Sequence, residues 1–322
     1  MKKLFIKSFI YSILILCILE GYIRVFHLTK DFPTRYLDEN NVEKWVPNQK
    51  GIFVLGNRRE NFNAYSINNS GFNSYREFTP SADNVEIALV GDSFIEGFHQ
   101  QYYNSIGKKI EDLLPDVEVY EYGYAGYDLA DQLHLINKYK SQFDLIDHVI
   151  IGFKFENDLT RGKYEVLKER LNLESQFNRN IRKIKTIVYL NSIGALDVPR
   201  GFVRNFLSLF SKKGNNKVEL DKTPDPAIKK QSNGLYLENF ESLVNTYGFD
   251  KSRFKFLLNS EKTPTSFLKY LKSNNYKYID YASPLSQATK PTTLIYDMHW
   301  NNRGRSIIAK VIVENYKLNL TK

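Results

Sequence analysis

The sequence predicts an α/β fold in which a parallel sheet is covered by crossover helices. Short apolar runs at residues 85–90, 117–120, 148–153 and 276–281 are predicted as strands. Segments with apolar residues at helical spacing, at residues 101–114, 128–143, 263–273 and 301–316, are predicted as helices, and Asp128 is a plausible cap of the second. Strands that alternate with helices in this way favour a parallel sheet.

The alternation is interrupted after Thr160, and we interpret residues 161–250 as a partly helical insertion. Between Arg161 and Lys230 the chain has 16 Lys or Arg and 7 Asp or Glu, so this segment accounts for the whole net charge of +9. Such a segment could hold an anionic glycan by its positive field. Alternatively, residues 181–213 could lie on a membrane surface, or their apolar residues could simply pack on the core.

The membrane interpretation of residues 181–213 is based on interleaved apolar and basic side chains. The apolar ones are Ile184, Ile187, Val188, Phe202, Phe206, Leu207 and Phe210, and the basic ones are Arg182, Lys183, Lys185, Arg204 and Lys212.

The N-terminus has an apolar run after three lysines. Residues 8–19 are uncharged, a length of 12 that suits a signal-peptide core and is short for a span of about 20 residues. A span within residues 1–28 requires Lys7 to reach the interface and Glu20 to pair with Arg24. Because no cleavage site of small residues follows, we favour an uncleaved signal anchor over a cleaved signal.

The lysines also predict the orientation of the chain. Lys2, Lys3 and Lys7 favour a cytoplasmic N-terminus, which puts the rest of the protein in the periplasm or at the cell surface. The one cysteine, Cys17, excludes an intramolecular disulfide bond. Residues 29–84 are interpreted as an irregular lead-in, and residues 85–322 as the main domain with its insertion.

Ser93 is the candidate nucleophile because it directly follows the first predicted strand. Ligands of open α/β sheets bind outside the carboxyl ends of the strands, where the Gly91–Asp92–Ser93 turn lies. The alternative is that Ser93 only caps a helix. A serine hydroxyl needs a base that takes its proton, and neutral histidine serves this purpose near pH 7.

His299 is the candidate base among five histidines, because Asp297 lies two residues before it. The carboxylate can hold the imidazole tautomer and stabilise its cation. Asp297 and His299 could also be two metal ligands, but other closely placed ligands are lacking in the sequence, so no metal is expected.

Two further segments follow predicted strands, residues 123–126 after the second and residues 155–158 after the third. A glycine N–H or an asparagine amide there could stabilise the oxyanion of acyl transfer, where each donor contributes about 3 kcal/mol. Singly, the first segment is most often a tight turn and the second a loop or helix cap.

The order of these motifs, Gly-Asp-Ser, then Gly, then Asn-Asp, then Asp-x-His-Trp, resembles the SGNH (GDSL-like) hydrolase superfamily over residues 85–160 and 262–316. The segment of residues 69–72 also looks like a lead-in of membrane-anchored bacterial members. The resemblance implies a flavodoxin-like three-layer α/β/α fold without a cofactor. It also implies a triad of Ser93, His299 and Asp297, and an oxyanion hole formed by the N–H groups of Ser93 and Gly126 and the Asn157 side chain.

The chain departs from the family pattern at Glu121, where Asn is common, and at Glu156, where Gly is common. These carboxylates could repel an anionic substrate, or they could point away from the site.

The expected function is that of a membrane-anchored serine esterase or O-acyltransferase that removes or transfers O-acetyl groups on a glycan. The alternative is a tethered glycan-binding protein that has lost turnover on the same fold. Nucleic-acid binding through the basic segment fits poorly with an outward-facing anchor and with the absence of a recognisable motif.

Overall fold

The computed structural model describes residues 2–55, 59–172, 174–196, 226–295 and 297–320. Contacts group the chain into two compact units. The larger unit comprises Pro33–Gly51, Asn63–Leu167 and Lys229–Lys322, and the smaller comprises the described residues of Met1–Phe32, Ile52–Phe62 and Lys168–Ile228.

The described residues form thirteen helices and nine strands. The helices are α1 (Lys2–Val25), α2 (Ser93–Glu96), α3 (Ile106–Leu113), α4 (Leu129–Lys138), α5 (Lys140–Phe143), α6 (Phe155–Asp158), α7 (Lys168–Asn172), α8 (Gln176–Lys183), α9 (Lys185–Ser192), α10 (Pro226–Tyr247), α11 (Thr265–Ser273), α12 (Ala282–Ser286) and α13 (Asn302–Leu320). The strands are β1 (Arg35–Leu37), β2 (Glu43–Trp45), β3 (Lys50–Leu55), β4 (Asn61–Ser66), β5 (Val85–Gly91), β6 (Val117–Gly123), β7 (His148–Gly152), β8 (Phe254–Leu258) and β9 (Lys277–Asp280).

The larger unit contains a five-stranded sheet in the order β6-β5-β7-β8-β9, and each neighbouring pair is parallel. Counted along the chain, this order is 2-1-3-4-5, which is the flavodoxin-like arrangement of doubly wound folds. The predicted α/β class and its parallel sheet are therefore confirmed. In such folds ligands bind where the strand order reverses, which here is the gap between the carboxyl ends of β5 and β7.

Helices cover both faces of this sheet, as the alternation of side chains along each strand requires. On one face, Ile87 and Leu89 of β5 are in one buried cluster with Ile106 of α3 and Ile308 of α13. The other face is aromatic. There Tyr122 of β6 contacts Phe143 of α5, and Phe256 of β8 contacts Phe240 of α10. The three-layer architecture is confirmed.

Strand β8 was not predicted from the sequence, although it lies between β7 and β9. Its segment, Phe254–Leu258, is a five-residue run with Phe256, Leu257 and Leu258 fully buried. A strand buried on both faces shows no alternation, so periodicity does not separate it from a helical segment. The helix predicted over residues 128–143 is also divided, because α4 ends at Lys138 and α5 begins at Lys140.

Glu121 lies on the α3 and α13 face of the sheet, so it points into the helical layer. Its carboxylate is buried and accepts a hydrogen bond from the Gly107 N–H over 2.9 Å. Burial raises its pKa to about 7, although the positive charge of Arg305 acts in the opposite direction. Arg305 is itself fully buried, and burial lowers its pKa to about 10. Arg305 thus acts electrostatically on a buried carboxylate in the same layer.

The smaller unit is organised around the C-terminal half of α1. Glu20 accepts hydrogen bonds from the N–H and hydroxyl of Thr186, both over 2.7 Å, and from the Lys185 N–H over 3.0 Å. Arg24 donates to Glu20 over 2.8 Å, as the sequence predicted, and to the carbonyl oxygen of Lys183. Glu20 thus satisfies the free N–H groups at the start of α9.

Helix α1 is long and apolar enough to cross a membrane. A signal sequence near an N-terminus has the same length and composition. The part of the basic segment that contains Phe202, Phe206, Phe210 and Lys212 lies outside the described residues.

Candidate active site

Ser93 is the first residue of α2, and Asp92 alone separates it from the end of β5. Asp92 is the cap of this helix, because its side chain accepts a hydrogen bond from the Phe94 N–H over 3.0 Å. The capping role that was the alternative for Ser93 therefore belongs to Asp92. The Ser93 hydroxyl remains available at the carboxyl end of β5, beside the point where the strand order reverses.

The structure brings together the three side chains that the sequence suggested as a triad. Ser93 Oγ lies 2.6 Å from His299 Nε2. On the other side of the ring, Asp297 Oδ1 accepts hydrogen bonds from His299 Nδ1 and from the His299 backbone N–H, the latter over 3.0 Å. Burial alone would raise the pKa of Asp297, but the hydrogen bonds from His299 outweigh it and hold that pKa below its usual value.

His99 is a fourth member of this cluster, and the sequence analysis did not identify it. Its Nε2 lies 3.2 Å from Asp297 Oδ2, and its ring stacks on that of His299 with centroids 3.8 Å apart. The sequence feature that could have indicated the position of His99 is Gly97, which ends α2 in the left-handed conformation with φ of 72°. The turn at Gly97 lets His99 reach the same triad as Ser93.

The same cluster bears on metal binding. Ligand atoms of His99, Asp297 and His299 lie within 4.8 Å of one another, so the expectation that no third ligand is near was wrong. The two imidazole planes are only 16° from parallel. Lone pairs on stacked rings run side by side, whereas a tetrahedral metal needs them to converge on one point. Hydrogen bonding through Asp297 therefore fits this geometry better than metal binding.

Helix α2 is supported by a buried carboxylate at its last residue, Glu96. Its Oε1 accepts a hydrogen bond from Trp45 Nε1 over 2.7 Å, and its backbone oxygen accepts one from the side chain of Asn73 over 2.8 Å. Burial raises the pKa of Glu96 to about 7, although hydrogen bonds from Trp45 and from the Ala125 N–H act in the opposite direction. Glu96 thus connects the helix that begins with Ser93 to the lead-in and to the loop after β6.

The loop after β6 approaches α2 so closely that a side chain would not fit at Gly123. A Cβ atom there would lie 2.1 Å from the backbone nitrogen of Glu96. Gly126 follows in the same loop with φ of 88°, a conformation that favours glycine. The loop is thus held next to the helix that begins with Ser93, and the role of the Gly126 N–H as an oxyanion donor stays a prediction.

Asn157 lies in α6, directly after β7, and its side chain is exposed. The buried Asp158 accepts a hydrogen bond from the Lys154 N–H over 2.8 Å, which closes this short turn. Burial, and secondarily the nearby Asp92, raise the pKa of Asp158 well above its usual value. The role of Asn157 as an oxyanion donor also stays a prediction. Glu156 is exposed beside it.

A cavity of about 560 Å³ lies across the carboxyl ends of β7, β8 and β9. It begins at Phe94 and Met298, which are the sequence neighbours of Ser93 and His299. Its lining mixes aromatic rings with amide, hydroxyl and charged groups, among them Phe153, Phe155, Tyr281, Trp300, Asn157, Asn259, Thr263, Lys154, Lys262, Glu156 and Glu261. The volume suits a small organic ligand.

This arrangement is chemically suited to acyl transfer. The hydroxyl has a base within hydrogen-bond distance, and the base has a carboxylate that orients it and compensates its positive charge. A cavity large enough for part of a substrate is lined by Phe94 and Met298, the sequence neighbours of Ser93 and His299.

Comparisons with known proteins do not establish a family. No family model matches the sequence, and no curated protein matches it. Among solved structures, a G-D-S-L family lipolytic protein from Veillonella parvula is 14% identical with a TM-score of 0.39, over 72% of this chain and 98% of that one. The lipase/acylhydrolase from Enterococcus faecalis is 14% identical with a TM-score of 0.38, over 73% and 96%.

The esterase EstA from a Pseudoalteromonas species is 11% identical with a TM-score of 0.40, over 74% of this chain and 100% of that one. Values this low say nothing about substrate, so the chemistry of this chain rests on its own residues.

Proposed function

We propose that this chain is a membrane-anchored serine esterase or O-acyltransferase that acts outside the cytoplasm on O-acetylated glycans. The observation that carries the proposal is the 2.6 Å contact between Ser93 Oγ and His299 Nε2, with Asp297 bonded to the other ring nitrogen. A serine that only caps a helix or only fills a buried position does not require His299 and Asp297 beside it. The arrangement is that of an activated nucleophile.

In the proposed reaction, Ser93 Oγ attacks the ester carbonyl carbon while its proton moves to His299 Nε2. The tetrahedral intermediate carries its negative charge on the former carbonyl oxygen, which the N–H groups of Ser93 and Gly126 and the Asn157 amide would bind. The ester C–O bond then breaks, and His299 gives its proton to the departing alcohol. Water or a second sugar hydroxyl attacks the acyl-serine, with His299 again accepting the proton, and restores Ser93.

The cavity supports a sugar as the substrate. Aromatic rings offer flat surfaces for the C–H faces of a sugar, and the amide, hydroxyl and carboxylate groups offer partners for its hydroxyls. Phe94 and Trp300 belong to the first group, and Asn259 and Glu261 to the second. A long acyl chain would instead need a continuous apolar channel, and the charged residues of this lining interrupt one.

The contacts of α1 support the membrane anchor. A carboxylate in hydrocarbon is costly, and Glu20 is bonded to Arg24 and to the start of α9 rather than left without partners. The neighbouring helices expose apolar and basic side chains together, with Phe177 72% and Ile184 47% exposed near Lys183. Such a surface suits contact with lipid headgroups, so we extend the proposal to the described part of the basic segment.

The test has two arms on the full-length protein in detergent: one sample is labelled with a serine-directed fluorophosphonate, and a second, unlabelled sample is incubated with O-acetylated glycans. We expect Ser93 to be labelled, and acetate to be released or moved to another hydroxyl. Ser93→Ala and His299→Ala should abolish labelling, and Asp297→Ala should reduce it less, because Asp297 orients the base and does not move the proton.

Ser286→Ala is the matched control, since Ser286 lines the same cavity and its hydroxyl donates to the Ser283 carbonyl oxygen. This variant should be labelled like the wild type. Unchanged labelling of Ser93→Ala would refute the triad. Glycan binding without any labelling or acetate release would instead support the tethered glycan-binding protein.

A further inference from the structure

Asp297 contacts two imidazoles, one at each carboxylate oxygen. Oδ1 accepts from His299, and Oδ2 lies 3.2 Å from His99 Nε2. We propose that His99 is a positioning residue of the triad, which holds the Asp297 carboxylate from one side and the His299 ring by its face. This inference rests on the proposed function, because it concerns how the same base is oriented.

The loop that carries the triad needs such support. Ile295 is 90% exposed and Met298 is 72% exposed, so these two residues near Asp297 pack little against the protein. The loop is closed by the bridge between Thr293 and Trp300 and by the hydrogen bond from the Leu294 N–H to the His299 carbonyl oxygen over 2.9 Å. These contacts fix the ends of the loop, and the carboxylate at its middle is held by the His299 backbone N–H and by its side-chain partners.

His99 is well placed to provide that support. Its side chain is 9% exposed, and it follows the turn at Gly97, where α2 ends. A neutral His99 that carries its proton on Nε2 donates to Asp297 Oδ2, which leaves Oδ1 directed at His299 Nδ1. With the carboxylate held at both oxygens, His299 keeps the tautomer that presents a free Nε2 lone pair to Ser93.

The stacked rings also restrict the movement of His299. The His99 ring lies 3.8 Å from the His299 ring, and Phe94 makes a second ring contact at 4.5 Å. Rotation of His299 away from Ser93 would break both contacts. A misplacement of about 1 Å can cost a catalytic group roughly a hundredfold in rate, so this restraint has kinetic consequences.

The same stacking gives the rate a specific dependence on pH. His299 gains a positive charge when it takes the proton of Ser93, and a protonated His99 would put a like charge within 3.8 Å of it. The other charged groups near His99 are Asp297, which favours its cation, and Arg305, whose guanidinium comes close to Gly97 and disfavours it. Activity therefore requires both imidazoles to be neutral before the attack, so two protonations should limit the rate at acid pH.

The experiment compares His99→Gln, which keeps an uncharged N–H donor, with His99→Phe, which keeps a ring without a donor. The rate of fluorophosphonate labelling and the hydrolysis of p-nitrophenyl acetate are measured against pH on the full chain. We expect His99→Phe, which loses the donor to Asp297, to lower kcat about ten- to hundredfold with little change in KM. His99→Gln, which keeps a donor and loses the ring contact, should lower kcat less than His99→Phe does.

Below neutral pH, the rate of the wild type should fall with the steepness of two protonations and that of His99→Gln with the steepness of one. Wild-type rates and an unchanged pH profile in His99→Phe would overturn the proposal. If His99→Phe does not fold, the test depends on His99→Gln. A labelling rate of His99→Gln that falls below neutral pH as steeply as that of the wild type would overturn the proposal.

A measurement that does not need turnover separates this inference from the proposed function. NMR titration of the histidine ring signals should show His99 and His299 titrating as a coupled pair in the wild type, and His299 titrating in a single step in His99→Gln. A protein that is never labelled but shows this coupling would lack the proposed activity and retain the positioning contact. Independent titration of the two rings would refute the contact itself.

Discussion

Lys154 Nζ lies 2.5 Å from Asp92 Oδ2, so an ion pair crosses the gap between the carboxyl ends of β5 and β7. Asp92 caps the helix that begins with Ser93, and Lys154 begins the turn that carries Asn157. The lysine also lies 3.7 Å above the centre of the Phe94 ring. The two loops that would provide the nucleophile and one oxyanion donor are therefore joined to each other directly.

Breaking this ion pair should slow acylation more than it lowers stability. Lys154→Met keeps the apolar stem and removes the charge, which leaves Asp92 facing the buried Asp158. Partly exposed ion pairs contribute roughly 1 kcal/mol or less to stability, so the folded state should persist. We expect the labelling rate of Ser93 to fall about tenfold, because the two loops lose their fixed spacing.

Lys262→Met is the matched control, because Lys262 lines the same cavity without a bond to Asp92. It should change KM for a glycan more than the labelling rate. Equal labelling rates in the two variants would show that the ion pair does not set the spacing.

A methyl group at Gly123 should disrupt the site and lower stability. The Cβ of Gly123→Ala would lie 2.1 Å from the Glu96 backbone nitrogen, so α2 or the end of β6 must move. Overpacking of this kind costs up to about 3 kcal/mol, and a backbone clash is at the upper end of that range. Urea unfolding of the full chain in detergent, together with labelling of Ser93, measures both effects.

Gly234→Ala is the control for this substitution. Gly234 is an exposed residue of α10 with no atom within 4 Å of an added Cβ. Alanine at an exposed helical position should raise the free energy of unfolding by up to about 1 kcal/mol. Full stability and labelling in Gly123→Ala would contradict the close approach of α2 to β6.

The buried Glu96 should make the protein less stable as the pH rises. Its folded-state pKa of about 7 lies above its ordinary value of 4.5, so the folded state binds the proton more readily than the unfolded state. Stability from this group is therefore fully present below about pH 4.5 and is lost as the pH rises to about 7, by up to about 3 kcal/mol. Glu96→Gln, which does not titrate, should lose much of this dependence.

Urea midpoints at pH 5 and pH 8 measure the effect, and Glu156→Gln on the exposed side of α6 is the control. The pKa of Glu121 is also raised to about 7, so this residue lowers stability as the pH rises in the wild type, in Glu96→Gln and in Glu156→Gln alike. A pH dependence that is equal in the wild type and Glu96→Gln would show that Glu96 stays ionised in the folded state.

The proposed topology predicts that the C-terminus lies outside the cytoplasm. Lys2, Lys3 and Lys7 precede the apolar part of α1, and basic residues are retained on the cytoplasmic side. Alkaline phosphatase fused after Lys322 should be active, and green fluorescent protein fused there should be dark. The reverse pattern would move the enzyme into the cytoplasm and remove the surface glycan from the proposal.

The sequence by itself determined the fold class and singled out Ser93, His299 and Asp297, whose side chains lie together in the structure. The fold class follows from local pattern, because apolar runs bounded by turns give the strands. Gly91–Asp92–Ser93 and Asp297–His299 each have their members within two residues, although the contact between Ser93 and His299 spans 206 residues and requires the folded sheet. Such short spacings constrain geometry before the chain folds. The sequence also indicated the pairing of Glu20 with Arg24, which is one helical turn apart.

Only the tertiary structure decided which distant groups complete the site. The contacts of His99 with Asp297, of Glu96 with Trp45 and of Lys154 with Asp92 join residues from separate segments, and no local periodicity marks them. Strand β8 was missed for a related reason, because burial on both faces removes the alternation that identifies a strand. Side chains that act through partners far along the chain become recognisable once the parallel sheet has brought the ends of its strands together.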